Sequence, residues 1–175
     1  MSCYPLPIQY RQGKNQKSGS FLEKRTDRIH CGIDLYAPKK TEVFAVENGT
    51  IHSISEFTNP NQIPYWNITY EIILHAESTY YFRYAELDEV FVKKNDSVSE
   101  GDVIASVGQV LNPDKIDEHQ PHYIQQLAKD GKLSMLHFEM YDQAPERSKD
   151  YLGGNWFTKD KPRGLCDPTS FLTHI

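Results

Sequence analysis

From Glu42 onward the chain is a succession of short runs rich in β-branched and aromatic residues, each closed by glycine, asparagine or proline. That rhythm constrains the fold more than any other feature, because strands of this length and composition pair with one another and not with helices. Val43 and Ala45 lead through the turn Glu47-Asn48-Gly49 into Thr50-Ile51-His52-Ser53-Ile54, and Asn-Gly between alternating apolar runs predicts a hairpin. Residues 57–66 predict a loop, and Ile68 to Leu74 and Tyr80 to Tyr84 predict two further strands. A turn at Lys94-Asn95-Asp96 precedes Val98, and Glu100-Gly101-Asp102 precedes the run Val103 to Gly108. Between residues 109 and 134 the rhythm breaks. There Pro121, then Tyr123, Ile124, Leu127 and Ala128 at helical spacing, then Gly131 as a stop, predict one short helix. Met135 to Tyr141 predicts another strand, followed by a polar loop holding Gly153-Gly154 and a small tail around Asp167 to Leu172. The expectation is a mainly β, antiparallel domain with one or two short helices, behind an irregular lead-in over residues 1–29.

At 175 residues the chain is long enough for one domain with a substantial core. A net charge of −5 argues against nucleic acid or an anionic membrane as the main partner. Cys3, Cys31 and Cys166 are odd in number and lack CxxC spacing, which predicts reduced thiols and no disulfide framework. No apolar run approaches the ~18 residues of a membrane helix. Met1 to Ile8 lacks a cationic segment followed by an apolar one, so no signal peptide is visible. That leaves a cytoplasmic protein, an upstream part removed, or export to the envelope by a non-standard route.

His30 and Asp34 are separated by three residues, with Gly32 between them to relax the backbone so that both side chains point one way. Far downstream, Met135, His137 and Glu139 share one face of their strand while Leu136, Phe138 and Met140 share the other. The apolar trio would face the core and His137 a groove. Two nitrogens and one oxygen suit a zinc ion that keeps a fourth position open for water. Spacing alone favours the plainer reading, a chance His-x-x-x-Asp and a surface histidine. Cys31 is expected to point away from the ligands. His52 and His75 read as structural or surface residues, and Glu139 as either a ligand-orienting group or a solvated strand residue. Tyr80, Tyr81, Tyr84 and Trp66 are either groove-lining or packing aromatics.

Six ordered motifs shift that balance. They are His30-Cys31-Gly32-Ile33-Asp34-Leu35 with Ala37-Pro38, Val43 to Ile51, Gly101 to Gly108, Leu136-His137-Phe138-Glu139 and Asp167-Pro168. In this order the chain resembles the M23 metallopeptidases, the LytM or lysostaphin-like peptidoglycan endopeptidases, from about residue 25 to 172. The resemblance implies an antiparallel β-sheet groove (the duplicated hybrid motif), spanning residues 25–175 behind a lead-in of 1–24, with an insertion at 109–134. It implies His30, Asp34 and His137 as ligands of a Zn2+ cofactor. Active members also carry a His-x-His pair on the last strand and a histidine in a Tyr-x-His-Leu run. Met135 and Glu86 stand at those two places here. Met135 cannot transfer a proton, whereas Glu86 could serve as general base. His119 and His122 in the insertion are candidate replacements, set against an exposed role at a helix start. Arg83-Tyr84-Ala85-Glu86 and Met135-Leu136-His137-Phe138-Glu139 are similar to a divergent branch of the family.

Two functions follow from the resemblance. One is a zinc-dependent endopeptidase acting on peptide cross-bridges of bacterial peptidoglycan or on a small peptide. The other is an inactive module of the same shape that binds peptidoglycan or regulates a partner hydrolase. Degenerate activators of this kind commonly lose zinc ligands too, and all three are present here. A biotinyl- or lipoyl-type carrier is excluded, because Glu100-Gly101-Asp102 offers no lysine at the exposed turn.

Overall fold

The β-rich runs pair almost entirely with one another. The computed structural model describes residues 3–11, 19–25 and 27–173; the polar lead-in stretch from Gln12 lies outside these up to residue 18. Its strands are β1 (Lys24–Arg25), β2 (Arg28–His30), β3 (Ile33–Tyr36), β4 (Glu42–Phe44), β5 (Gly49–Thr58), β6 (Thr69–Ala76) and β7 (Tyr81–Val90). They continue with β8 (Ser97–Val98), β9 (Val103–Gln109), β10 (Ser134–Tyr141), β11 (Tyr151–Leu152), β12 (Asn155–Trp156) and β13 (Leu165–Cys166). Helix α1 is His122–Lys129 and α2 is Thr169–Thr173. Nine strands curl into one antiparallel half-barrel in the order β13-β10-β9-β7-β6-β5-β8, with β3 on β10 and β4 on β9. A small second sheet, β1-β2-β12-β11, lies against it at the site described below.

The core follows from strand alternation. Ile72 and Leu74 of β6, Phe82 and Tyr84 of β7, and Leu136 and Phe138 of β10 are all fully buried in one cluster. Phe138 stacks on Phe82 at 5.7 Å between centroids and meets Tyr84 edge-on at 5.3 Å. Each such side chain contributes about 1.5–3 kcal/mol by leaving water. The Tyr84 hydroxyl accepts a hydrogen bond from Val46 N at 2.9 Å, so its polar tip is not stranded. Tyr84 is thus a core residue and not a groove wall.

The predicted hairpin at Asn48-Gly49 does not form. β4 pairs with β9, while β5 pairs with β6 from Gly49↔Ala76 to Thr58↔Thr69 and with β8. A three-residue strand offers β5 far fewer ladder bonds and cross-strand contacts than the eight-residue β6, so the distant partner wins over the local turn signal. Phe57 and Thr58, expected in a loop, complete that β5 ladder. Conversely, the polar loop holding Gly153-Gly154 contains a hairpin: Leu152 pairs with Asn155 and both glycines have positive φ, 52° and 75°. That is the two-residue turn whose twist matches paired strands.

The lead-in contributes to the core through Leu6, which is buried in the main cluster, and through Cys3 N and Phe44 N, which donate to Val46 O and Pro5 O. The segment 109–134, expected as an insertion, carries α1, and Gly131 follows the helix at φ 67°. Val110, Leu111 and Ile124 build a separate apolar cluster there with Trp66, Leu127 and Leu133 packed on it. Among the described residues no helix is long and apolar enough to cross a membrane. All three cysteines are free thiols.

Candidate metal centre and groove

β2 ends on His30, the chain steps over Cys31 and Gly32, and Asp34 follows on β3. The β3–β10 register places His137 directly opposite Asp34, and the β10–β7 register places Ala85 on its other side. His30 Nε2, Asp34 Oδ1 and His137 Nδ1 converge: 3.0 Å from His30 to Asp34, 2.9 Å from His137 to Asp34 and 3.1 Å between the two rings. The edge of a tetrahedron with ~2.0–2.1 Å bonds is about 3.3 Å, so these donors need to part by only a few tenths to hold an ion such as zinc.

Gly32 serves this convergence by bulk and not by backbone freedom. Its φ is not positive, but a Cβ there would lie 2.5 Å from Phe138 O and 2.9 Å from His137 Cε1. Gly154 backs the same ring from the hairpin: at φ +75° its Cβ would stand 2.5 Å from His137 Cε1. Gly154→Ala is therefore expected to lose stoichiometric metal binding and about 1–3 kcal/mol of stability. Elemental analysis and urea denaturation check this, and a variant with wild-type metal content would show that the ring is not wedged by the turn.

Each donor has an outer partner. His30 Nδ1 donates to Ser20 O at 2.9 Å, which leaves Nε2 bare toward the centre. His137 Nε2 faces Glu139 Oε1 at 2.8 Å, which frees Nδ1 likewise. Arg25 Nη2 lies 3.5 Å from the outer oxygen of Asp34, Oδ2. Glu139 is fully buried and is the hub of a network: Tyr151 OH donates to Oε1 at 2.6 Å, and Arg83 Nη1 and Tyr141 OH donate to Oε2, each at 2.6 Å. Arg83 Nε in turn lies 2.9 Å from Glu71 Oε2. Burial opposes ionisation of Glu139, but the Arg83 charge and these bonds outweigh it and hold the carboxyl well below the usual range. Burial likewise opposes a charged His137, yet its bonds to Asp34 and Glu139 carry it up to about 10. The centre thus favours positive charge, as a proton or as a metal ion.

Glu86 sits where β7 changes partners. Ala85 still pairs with β10, Leu87 already pairs with β9, and between them Glu86 takes φ 63°. A non-glycine residue held there is strained, and such strain persists only where surrounding structure enforces it. Its side chain reaches a cavity of about 1040 Å3 that Asp34, Arg25 and Met135 also line. Glu86 is 9% exposed and its Oε2 has no hydrogen-bond partner among the described residues. Burial, with the Asp34 charge second, pushes it up to about 8.

The model of peptidase family M23 matches residues 28–148. The chain belongs to that family. Among solved structures, the zinc-containing peptidase of Vibrio cholerae is 24% identical with TM-score 0.50, over 78% of this chain. The match covers 35% of the Vibrio protein, so this M23 chain spans about a third of that peptidase's length. The catalytic domain of the antimicrobial peptidase lysostaphin from Staphylococcus simulans is 18% identical with TM-score 0.51, over 99% of this chain and 90% of its own. A SpoIIQ-SpoIIIAH pore-forming complex is 17% identical with TM-score 0.54, over 97% of this chain and 89% of that one. No curated protein sequence matches the chain.

Within the M23 fold the remaining candidates separate. His119 is exposed and bonds Asp117 at 2.9 Å, and it does not line the cavity. His122 opens α1, exposed, and lines the cavity. Cys31 turns away from the donors into a pocket with Tyr141 and Leu165. His52 and His75 flank Tyr81 on the exposed side of the sheet, and Trp66 lines the cavity. The expectation of a groove-facing His137 gives way to a ring 1% exposed, because the turn at Gly154 backs it and Phe57 stacks on it at 6.1 Å between centroids. Arg25, Asn155, Gly154 and Ser20 escaped the sequence reading. Only Gly-Gly between Tyr-Leu and Asn-Trp carried a signal, that of a hairpin.

Proposed function

We propose that this chain is a zinc-dependent endopeptidase that cleaves peptide cross-bridges of bacterial peptidoglycan. The observation that supports it is the convergence of His30 Nε2, Asp34 Oδ1 and His137 Nδ1, the imidazole nitrogens turned inward by Ser20 O and Glu139. Zinc bound there would supply Lewis-acid chemistry and activate a water molecule. Glu139 fixes the His137 tautomer, and Gly32 and Gly154 fix its ring. Glu86, on the cavity wall beside Asp34 with its Oε2 unpartnered among the described residues, accepts the proton of the attacking water and returns it to the leaving nitrogen. Its position near neutrality suits both transfers.

Metal analysis paired with fragment release from purified peptidoglycan, before and after chelation, tests the reading. Chelator-sensitive release upholds it. Glu86→Gln is expected to lower release about 100- to 10,000-fold with the metal retained, and unchanged turnover would remove Glu86 from the mechanism.

Met135 on the cavity wall favours a second reading, since a thioether neither donates nor transfers a proton. A metal-loaded protein that releases nothing would be a module that binds peptidoglycan or regulates a partner hydrolase.

A further inference from the structure

We propose that Arg25 is the oxyanion-binding residue of this groove, its guanidinium donating to the scissile carbonyl oxygen as charge develops there. This rests on the endopeptidase reading above. Arg25 lies outside the segment that the family model matches, and nothing in Lys24-Arg25 marks it in the sequence.

The pairing of β1 with β2 folds Arg25 back beside the strand that carries His30. Three elements then clamp the guanidinium. Nε and Nη2 donate to Glu23 Oε2 at 3.2 and 3.1 Å, Nη1 donates to Asn155 Oδ1 at 2.8 Å, and Nη2 lies 3.5 Å from Asp34 Oδ2. Asn155 is itself held, donating to Gly153 O at 2.7 Å. A guanidinium has five N–H donors. These contacts occupy four, and the second Nη1 hydrogen has no acceptor among the described residues. The side chain is 31% exposed and lines the cavity together with Asp34 and Glu86.

Attack on a peptide bond demands such a donor. The water oxygen bonds to the carbonyl carbon, the C=O π pair moves onto oxygen, and the water's proton passes to Glu86. The C–N bond then breaks as Glu86 returns that proton to nitrogen. A fixed, partly desolvated cation on the cavity wall beside Asp34 needs no reorganisation as that charge develops. Met135 on the cavity wall has no donor, and the Arg28 guanidinium is turned to the Tyr123 hydroxyl at 2.8 Å and the Phe157 ring at 5.4 Å, whereas Arg25 stands 3.5 Å from Asp34.

The competing role is purely positional, with Arg25 only steadying Asp34. Arg25→Met and Arg25→Lys in the full zinc-loaded chain separate the two. The oxyanion role predicts that kcat falls about 100- to 1,000-fold in Arg25→Met and in part returns in Arg25→Lys, with KM and zinc affinity unchanged. A titration with inorganic phosphate, a tetrahedral anion, reads the site without turnover. It is expected to bind Arg25→Met at least about tenfold more weakly than wild type, since a charge-assisted bond is lost. Equal phosphate affinity, or a loss of zinc affinity that accounts for the fall in kcat, overturns the proposal. If the zinc-loaded wild type releases no fragments, the endopeptidase reading fails by itself. Weaker phosphate binding by Arg25→Met would then still uphold Arg25 as the groove's donor to anionic oxygen.

Discussion

Replacing His137 with alanine is expected to take zinc content from about one ion per chain to none that survives dialysis, while His119→Ala keeps the full ion. Both substitutions remove an imidazole, but only one removes a donor from the cluster. His137 Nδ1 stands 2.9 Å from Asp34 Oδ1 and 3.1 Å from His30 Nε2, whereas His119 is exposed ahead of α1 and bonds Asp117. Two remaining ligands on His30 and Asp34 leave half of a tetrahedron to water, and affinity falls accordingly. Elemental analysis of the two variants, prepared side by side, decides. Stoichiometric zinc in His137→Ala would reject the ligand assignment, and parallel loss in His119→Ala would point to the segment around α1 instead. Folding is followed by circular dichroism, since the buried carboxylates of Asp34 and Glu139 lose a partner in His137→Ala.

Arg83→Met is expected to cost about 3–5 kcal/mol, because it strips a fully buried carboxylate of its counter-ion. Arg83 is 6% exposed and Glu139 is 0% exposed, so water cannot take over the role. Tyr141, Tyr151 and His137 would still donate to Glu139, but only His137 could bring charge, and it would then compete with the metal. Zinc affinity should fall about 10- to 100-fold in the same variant. The sign of the pH effect follows from the depressed Glu139 carboxyl. A carboxyl whose folded pKa lies below its unfolded value stabilises above the ordinary carboxylate range and loses that contribution as pH falls below it. Without Arg83 the depression shrinks, so the acid unfolding transition moves to higher pH. Replacing both partners with Arg83→Met and Glu139→Leu should restore part of the stability and none of the zinc affinity. Loss below about 1 kcal/mol in Arg83→Met would mean that the pair is solvated.

How much of this was legible in the chain depends on the range of the physics involved. The strands from Ile72 to Tyr141 were readable because β-branched and aromatic residues mark a pleated surface locally. The partner of each strand was not: Asn48-Gly49 spells a hairpin, and β5 went to β6 and β8 instead. Glu86 was singled out by the resemblance, but its left-handed backbone arises only because β7 exchanges β10 for β9 at that point.

The sequence by itself determined the mainly β fold, the M23 family and the set of side chains able to meet at a metal centre, since alternation, turn chemistry and ordered motifs are all written in local order. Only the tertiary structure decided what surrounds those side chains. Arg83 meets Glu139 across 56 residues, Arg25 meets Asn155 across 130, and Gly154 makes room for His137 from a hairpin that follows β10. Such contacts carry no periodic signature, because burial and electrostatics act between neighbours in space whatever their separation along the chain.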